Sequence, residues 1–291
     1  MKLALPFLVF AALVACAEEH IDRSPTFGTI RIAVLPDQSK ETLLSQYRIL
    51  VDYLESETSL EFELSIPSNY AELVDQFDAG RIDLAWFGGL TFTQAERRSQ
   101  AEPLALRDVD LQFTSCYLAK ASDSRMSISD FAGEDFSFGP DLSTSGHLMP
   151  RYFMADDGLD PESYFASIRH SAGHDQTATW VANGTVAIGV ANCIVVQSLF
   201  ENGVLGSDAI RIVETTPPYP DYVWAVSASL DEYIKITLLD AFLALDASIP
   251  EHRKILRSQG ANGYLPAASK DFAIVRLAAN QAGVLAKENE N

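Results

Sequence analysis

The sequence predicts an α/β protein of two lobes, with a central cleft and two strands that cross between the lobes. Strand-like and helix-like segments alternate over residues 29–87, which is typical of parallel α/β architecture. A similar helix–glycine–strand unit recurs around Gly184 in the second half of the chain. The roughly 270 residues that follow the N-terminal segment exceed one typical domain and suit two lobes.

The first half contains five predicted elements. Residues 29–35 are a β-branched run that stops at a proline, as a buried strand does. Apolar residues then recur at helical spacing over 43–54. Asn69 and Glu72 form a predicted capping pair for a helix that ends at Gly80. The elements, in chain order, are a strand at 29–35, a helix at 43–54, a strand at 60–66, a helix at 69–80 and a strand at 82–87.

The second half of the chain repeats the pattern of helix, glycine and strand, and the chain then returns to the first lobe. A predicted helix at 175–182, closed by Gly184, precedes a strand at 186–190. Two strand-like segments, 112–120 and 212–222, are the predicted crossings, and two crossings make a hinge. The predicted boundaries are 27–116 plus 217–291 for lobe one and 117–216 for lobe two, with the crossings at the ends of lobe two.

The N-terminus predicts export. Lys2 precedes a short uncharged run from Leu3 to Val14, the pattern of a secretory signal. Cys16 comes directly after Leu-Val-Ala and resembles a bacterial lipobox, in which the thiol is lipidated. We predict a signal peptide with lipobox at 1–16, a tether at 17–26, and a lipid-anchored protein in the periplasm or at the cell surface. The alternative is an ordinary signal peptide with a chance cysteine.

Composition limits the partners. A formal net charge of -19 argues against nucleic acid, and bulk charge cannot attract an anion. Any anion site must therefore be local. Cys116 and Cys193 lie in strand-like apolar runs. We expect buried thiols there rather than a disulfide, although an oxidising compartment permits one.

The stretch 136–158, FSFGPDLSTSGHLMPRYFMADDG, points to an anion site. Ser143, Thr144 and Ser145 precede a helix in which Pro150 fits only the first turn. Hydroxyls and free N–H groups at a helix start bind anions without a basic side chain. The alternative is a simple N-cap.

His174 and Asp175 open a second helix. His174 can donate to an oxyanion, and Asp175 can orient it or cap the helix. A metal site at His170, His174 and Asp175 is the rival interpretation. We expect none there, because His170 ends a strand while His174 begins a helix.

Further candidates follow predicted strands, where ligands bind in open α/β sheets. Phe87, Gly88 and Thr91 follow the strand at 82–87, and either Trp86 or Phe87 belongs to the core. Three other candidates are Gln38 after the first strand, Asn192 opposite Gly88 in the repeated unit, and Tyr219 beside the second crossing.

These residues resemble the phosphonate/phosphite/phosphate-type periplasmic binding proteins of ABC transporters. The matching stretches, in order, are AWFGGLTF, FSFGPDLSTSGHLMPRYFM and SAGHD with VANG downstream. The resemblance implies a two-lobed type 2 periplasmic binding fold, in which Ser143–Ser145 grip the phosphorus oxygens and His174, with Asp175, lies beside them. It also implies an ABC permease as partner, no cofactor, and a monomer that closes on a small phosphorus oxyanion.

Two departures from the family pattern bear on the ligand. Gly89, Thr91 and Phe92 stand where the family usually has Pro and then Ser-Tyr, so a tyrosine hydroxyl is missing there. Ala187 and Asn192 stand where the family often has polar or acidic residues. An acidic residue there would suit the amino group of an aminophosphonate, so such a ligand is less expected.

Two other functions are compatible with parts of this pattern. One is a sensory receptor module with the same closing cleft. The other is a hydrolase with Ser143 or Ser145 as nucleophile, but adjacent His and Asp residues at a helix start do not form a triad easily. The chain also lacks a Gly-x-Ser-x-Gly elbow. We therefore expect a binding protein and not an enzyme.

Overall fold

The computed structural model describes residues 28–285. The predicted signal peptide, the lipobox with Cys16 and the predicted tether lie outside the described residues. Over residues 28–285, no helix combines the length and the apolar character that crossing a membrane requires.

Eleven strands form within the described residues. They are β1 (Ile30–Val34), β2 (Phe62–Ser65), β3 (Leu84–Phe87), β4 (Glu102–Arg107), β5 (Ser115–Lys120), β6 (Asp135–Phe138), β7 (Ser167–His170), β8 (Ile188–Asn192), β9 (Ile210–Thr215), β10 (Val223–Val226) and β11 (Tyr264–Pro266).

Ten α-helices accompany them in residues 28–285. They are α1 (Lys40–Thr58), α2 (Tyr70–Asp78), α3 (Gly89–Ser99), α4 (Met149–Asp156), α5 (Pro161–Tyr164), α6 (His174–Asn183), α7 (Cys193–Glu201), α8 (Glu232–Leu243), α9 (Pro250–Ser258) and α10 (Ala273–Gln281). A π-helical turn at Thr144–Leu148 runs directly into α4, so Pro150 lies in the first turn of that helix as predicted.

Local sequence signals explain several helix ends. The Asn69 side chain accepts from the backbone N–H of Glu72, which caps α2 as predicted. In return, Glu72 Oε2 accepts from the backbone N–H of Ser68 at 2.6 Å. Gly80 and Gly184 follow α2 and α6 with φ of 65° and 80°, a conformation that glycine adopts without a steric penalty.

The strands form two sheets in the described part of the chain. The first has the order β11-β4-β10-β3-β1-β2, and the second has the order β7-β6-β8-β5-β9. In the first sheet β2, β1 and β3 run parallel, whereas β10 is antiparallel to β3 and β4. This mixture of parallel strands, intervening helices and one returning strand confirms the predicted α/β class.

The chain passes between the sheets twice within residues 28–285. It leaves the first sheet after β4, and it returns between β9 and β10. The two connections pair with each other: Phe113 N–H donates to the Tyr219 carbonyl at 2.9 Å, and Tyr219 N–H donates to the Phe113 carbonyl at 3.0 Å. This short antiparallel bridge joins the two crossings side by side.

Cys116 and Cys193 form a disulfide, with Cα atoms 5.1 Å apart. The prediction of two buried thiols was therefore wrong. The register of β5 against β8 pairs Cys116 with Ala191, and Cys193 follows β8 by one residue at the start of α7. Strand register of this kind, between segments about 77 residues apart, does not appear in local apolar patterns.

Candidate anion-binding cleft

The predicted turn Ser143–Ser145 lies against the start of α3, which belongs to the other sheet. Thr144 Oγ1 accepts a hydrogen bond from the Leu90 backbone N–H at 3.0 Å. A Cβ added to Gly88 would lie 3.2 Å from the same oxygen, so glycine permits this close approach. The two sheets thus bring their predicted anion-binding helix starts into contact.

Ser143 connects this turn to His174. Its Oγ caps the turn by accepting from the Gly146 N–H at 2.9 Å, and it lies 3.3 Å from His174 Nε2. A Cβ at Gly146 would lie 2.9 Å from Gly139 Cα and 2.9 Å from the His174 ring. The glycine therefore keeps the turn close to the imidazole.

The hydrogen bonds fix the tautomer of His174. Nδ1 accepts from the Asn192 backbone N–H at 3.2 Å, which leaves the ring proton on Nε2. Burial lowers the pKa of His174 to about 3, because desolvation disfavours the imidazolium. His174 is therefore a neutral donor whose N–H points toward Ser143.

Asp175 does not take the orienting role that the sequence suggested. Its Oδ1 accepts from the Gln176 N–H at 2.8 Å, and the Asn192 backbone orients the imidazole instead. The Asn192 side chain caps α7 through Oδ1 and donates from Nδ2 to the Tyr222 hydroxyl at 2.9 Å. Asn192 thus lies beside His174 and Tyr222, with both ends of its amide engaged.

Asp37 occupies the place after β1 for which Gln38 was predicted. Its backbone carbonyl accepts from the His174 N–H at 2.9 Å, and its Oδ2 accepts from the Tyr222 hydroxyl at 2.8 Å. Burial raises the pKa of Asp37 to about 6, partly offset by the Tyr222 hydroxyl. Gln38 itself is only partly buried.

Asp221 is a buried site residue that sequence reasoning missed. Its Oδ1 accepts from the backbone N–H groups of Gly89 at 2.8 Å and Tyr222 at 2.9 Å. Burial raises its pKa, while those two N–H groups and the hydroxyls of Thr144 and Ser145 act in the opposite direction. The sequence PYPDY in the return crossing contained a signal for this residue, because it places one acidic side chain among prolines and tyrosines.

Three buried polar atoms of the cleft have no hydrogen-bond partner within residues 28–285: Tyr70 Oη, Ser145 Oγ and Asp221 Oδ2. Leaving such a group unpaired costs about 1–3 kcal/mol. Two further atoms of this kind, Trp224 Nε1 and Tyr264 Oη, lie in the core of the first sheet. The three cleft atoms are two hydroxyl groups, which can donate, and one carboxylate oxygen, which accepts. This combination can bind a polar ligand.

Tyr70 supplies the hydroxyl whose absence the sequence suggested. It begins α2 and is buried. Burial raises its pKa, as does the nearby charge of Asp37, and the Ser143 side chain opposes the rise. The prediction of a missing tyrosine hydroxyl considered only the start of α3, whereas this one comes from the neighbouring helix.

Three other predicted residues have structural partners. Phe87 packs in the core with its ring centroid 5.2 Å from that of Phe77, so its side chain is not free for a ligand. Thr91 Oγ1 donates to the Gly88 carbonyl at 3.0 Å. The Tyr219 hydroxyl lies 2.5 Å from Ser115 Oγ, and Ser115 Oγ donates to the Ser145 carbonyl. Tyr219 therefore contacts the Ser143–Ser145 turn indirectly, through Ser115.

Arg107, a buried cation that contacts the cleft residue Tyr222, is already paired. The Arg107 guanidinium lies 5.0 Å and 5.1 Å from the ring centroids of Trp86 and Tyr222. It forms a buried ion pair of 2.6 Å with Asp110. The groups that face the cleft are therefore hydroxyls, amides, a neutral imidazole and carboxylates.

Comparison with known proteins agrees with this geometry. A family model described as "ABC transporter, phosphonate, periplasmic substrate-binding protein" matches residues 32–272. The chain belongs to this family. It is thus an extracytoplasmic substrate-binding protein of an ABC transporter, with the two-sheet fold of periplasmic binding proteins.

Individual relatives are moderately similar over most of their length. The chain is 28% identical over 281 residues to a probable ABC transporter phosphite binding protein, PhnD1, of Prochlorococcus marinus (91% of this chain and 93% of the relative). It is 28% identical over 234 residues to the phosphate-import protein PhnD of Mycolicibacterium smegmatis (76% and 73%). The structure of Prochlorococcus marinus PhnD1 in complex with methylphosphonate matches with a TM-score of 0.82 and 25% identity (88% and 98%).

Proposed function

We propose that this protein binds a small phosphorus oxyanion that still carries one proton, and that it delivers this ligand to an ABC permease. The site would comprise Ser143–Ser145, Tyr70, His174 and Asp221. The ligands named for the relatives, phosphite, phosphate and methylphosphonate, are tetrahedral phosphorus oxyanions. They match a cleft of this polarity.

The observation that carries the proposal is the set of buried, unpaired polar atoms beside His174. Hydroxyls of Tyr70 and Ser145 and the Nε2–H of His174 can donate to ligand oxygens. Asp221 Oδ2 can only accept while it is ionised, so it suits a P–OH group. Hydrogen bonds to a charged acceptor contribute about 1.5–3 kcal/mol each, which offsets the lack of a cationic partner.

The same geometry argues against the hydrolase alternative. A catalytic histidine accepts the serine proton on a free ring nitrogen and holds a carboxylate on the other. His174 instead accepts a backbone N–H on Nδ1 and keeps its proton on Nε2. It is arranged as a donor to an oxyanion and not as a general base.

We propose lobe closure as the mechanism of capture. The lobes would comprise residues 27–116 plus 217–291 and residues 117–216, with the paired connections at Phe113 and Tyr219 as the hinge. A ligand shifts such a hinge only by its preference for the closed form. Contacts from both lobes to one oxyanion supply that preference.

Isothermal titration calorimetry with phosphate, phosphite, methylphosphonate, 2-aminoethylphosphonate and sulfate tests the proposal. Phosphorus oxyanions should bind, and sulfate, which carries no proton at neutral pH, should bind at least tenfold more weakly. Ser145→Ala and His174→Ala should each weaken binding at least tenfold. Equal affinity for sulfate, or unchanged affinity in both variants, would contradict the proposal.

We propose further that the mature protein is a monomer anchored by a lipid on Cys16. The Leu-Val-Ala-Cys sequence supports the anchor. Cys16→Ser should release the protein from the membrane fraction without changing its ligand affinity. Capture of permease components on the immobilised protein would favour transport, and capture of a signalling receptor alone would favour the sensory alternative.

A further inference from the structure

Two histidines and an aspartate meet beside the Ser143–Ser145 turn. Asp141 precedes the turn, His147 follows it within the π-helical segment, and His170 ends β7. One possible ligand atom from each of the three residues lies within 4.8 Å of the other two. His170, which the sequence analysis had considered with His174 and Asp175, is thus grouped with other residues.

The spacing of these three groups is close to that of a metal site. His170 Nδ1 lies 2.7 Å from Asp141 Oδ1 and 3.2 Å from the Gly139 carbonyl oxygen, so the ring proton is on Nδ1 and Nε2 is the nitrogen left for a metal. The rings of His147 and His170 have centroids 4.7 Å apart. Donor atoms in a tetrahedral zinc site, with bonds of about 2.0–2.2 Å, stand about 3.4 Å apart. Side-chain movements of about 1 Å would bring the three groups to that geometry.

The backbone already orients one of the imidazoles. His147 Nδ1 lies 2.7 Å from the Asp141 carbonyl oxygen, and this bond places the ring proton on Nδ1. Nε2 then carries the lone pair that can accept a hydrogen bond or bind a metal. Histidine ligands in metal sites commonly donate their other N–H to a backbone carbonyl in this way.

Arg151 competes for that lone pair. Its Nε donates to His147 Nε2 at 2.7 Å. The guanidinium also pairs with Glu162 at 2.6 Å and lies 4.6 Å from the centroid of the Phe138 ring. A metal that takes Nε2 therefore displaces one of three contacts, and the other two can keep Arg151 in place.

The three groups are open to solvent on a cavity of 710 Å³ between α4 and α10. Asp141, His147 and His170 form part of its wall, and Ala278 and Ala282 lie across it. The Asp141 side chain is 77% exposed and that of His170 is 30% exposed. An ion can therefore enter, and water can complete its coordination.

We propose that Asp141, His147 and His170 bind a divalent transition metal of the Zn²⁺ class. Two imidazoles and one carboxylate suit Zn²⁺, Ni²⁺ or Cu²⁺ rather than Mg²⁺ or Ca²⁺, which take mainly oxygen ligands. None of these three residues belongs to the proposed anion cleft. They come from two segments that also carry cleft residues, since Ser143–Ser145 lie between Asp141 and His147, and His174 follows His170.

Titration of the tag-free protein with Zn²⁺ in an anion-free organic buffer tests the proposal. We expect one Zn²⁺ per chain and no heat with Mg²⁺, and Co²⁺ should develop visible absorption on binding. His170→Gln and Asp141→Asn should each weaken Zn²⁺ binding at least tenfold, because each removes one ligand of three. A melting temperature close to that of the wild type would show that these variants fold.

Matched controls separate this site from other histidines. The chain has five histidines in all. His20 lies outside the described residues, and His252 contacts Tyr53 away from the cluster. The double variant His20→Ala/His252→Ala should bind Zn²⁺ as the wild type does.

Arg151→Met gives a test in the opposite direction. Methionine keeps an apolar side chain against Phe138 but cannot donate to His147 or repel a cation. This variant should bind Zn²⁺ at least threefold more tightly. Zn²⁺ affinity that is unchanged in folded His170→Gln and Asp141→Asn, or in Arg151→Met, would overturn the assignment, whatever the anion titrations give.

Discussion

The hydroxyl of Tyr222 donates to Oδ2 of Asp37 across 2.8 Å. The same hydroxyl accepts from Asn192 Nδ2 at 2.9 Å. A chain of hydrogen bonds thus runs from the loop after β1 in the first sheet, through the return connection, to the start of α7 beside the second sheet. Tyr222 has a φ of 41°, which is uncommon for a residue with a side chain, and its ring stacks on Trp86.

Tyr222→Phe should weaken anion binding three- to tenfold while the protein remains folded. The variant keeps the ring on Trp86 but leaves Asp37 Oδ2 and Asn192 Nδ2 without this partner. Lost hydrogen bonds of this kind cost about 0.5–1.5 kcal/mol each, and the loss would fall on the closed arrangement of the lobes. Calorimetric titration with the best-bound oxyanion measures the effect.

Tyr233→Phe is the matched control, because Tyr233 lies on α8, outside the proposed cleft residues, and is 64% exposed as a residue. Its affinity should equal that of the wild type. If Tyr222→Phe binds as tightly as the control does, the hydrogen-bond chain makes no contribution to closure.

Asp221→Asn should change the selectivity of the cleft. Asp221 Oδ2 accepts from a ligand P–OH under our proposal, so the affinity of the wild type for phosphonate and phosphate should fall as rising pH removes that proton. Asparagine can present an N–H donor instead. The variant should lose at least tenfold in affinity for methylphosphonate at pH 6, and its affinity should vary less with pH.

Sulfate provides the control for this prediction, since it has no proton to donate near neutral pH. Its binding should improve in Asp221→Asn relative to the wild type. If affinity varies with pH in the same way in the two proteins, and the ratio of sulfate to methylphosphonate affinity is also the same, then Asp221 does not distinguish protonated from deprotonated ligands.

Local sequence patterns were sufficient for three of the six strands of the first sheet, β1, β2 and β3. The predicted strand at 29–35 corresponds to β1 (Ile30–Val34), and the capping pair at Asn69 opens α2. The motif with Ser143 and the start of α6 at His174 also come together, with 3.3 Å between Ser143 Oγ and His174 Nε2. These features depend on side-chain periodicity, caps and helix starts, which are properties of short segments.

The missed features depend on long-range register. Asp221 reaches the N–H of Gly89, which lies 132 residues away in sequence. The sulfur atoms of Cys116 and Cys193 meet only because β5 is antiparallel to β8 with a particular pairing. A pattern within one segment cannot specify which residue of a distant segment lies opposite, so the acceptor in the cleft was missed and the disulfide was not the favoured prediction.

His174 should make stability depend on pH in a defined direction. Its pKa is lowered to about 3 in the folded protein and is about 6.5 in an unfolded chain. Between these values the unfolded chain binds a proton that the folded protein does not. The free energy of unfolding should therefore fall as pH decreases from about 6.5, with a contribution of up to about 1.4 kcal/mol per pH unit from this residue.

Urea denaturation at several pH values from 4.5 to 7.5, for the wild type and His174→Gln, measures this contribution, because this range spans the pH at which the unfolded histidine titrates. Glutamine keeps a donor near the position of Nε2 and does not titrate. The variant should lose less stability on acidification than the wild type does. The same pH slope in both proteins would mean that folding does not lower the pKa of His174.

Removal of the disulfide should reduce stability without changing ligand affinity. The bridge closes a loop between residues 77 apart in sequence, and loops of this length are worth roughly 2–4 kcal/mol in the free energy of unfolding. Both cysteines belong to elements of the second sheet and its helix α7, so the bridge does not cross between the sheets.

Cys116→Ser/Cys193→Ser should therefore unfold at lower urea concentration and bind the oxyanion within threefold of the wild-type affinity. The wild type treated with a reductant should behave in the same way, which excludes an effect of the serine side chains. A large loss of affinity in both samples would show instead that the bridge holds Asn192 and the His174 ring in position, since Asn192 directly precedes Cys193.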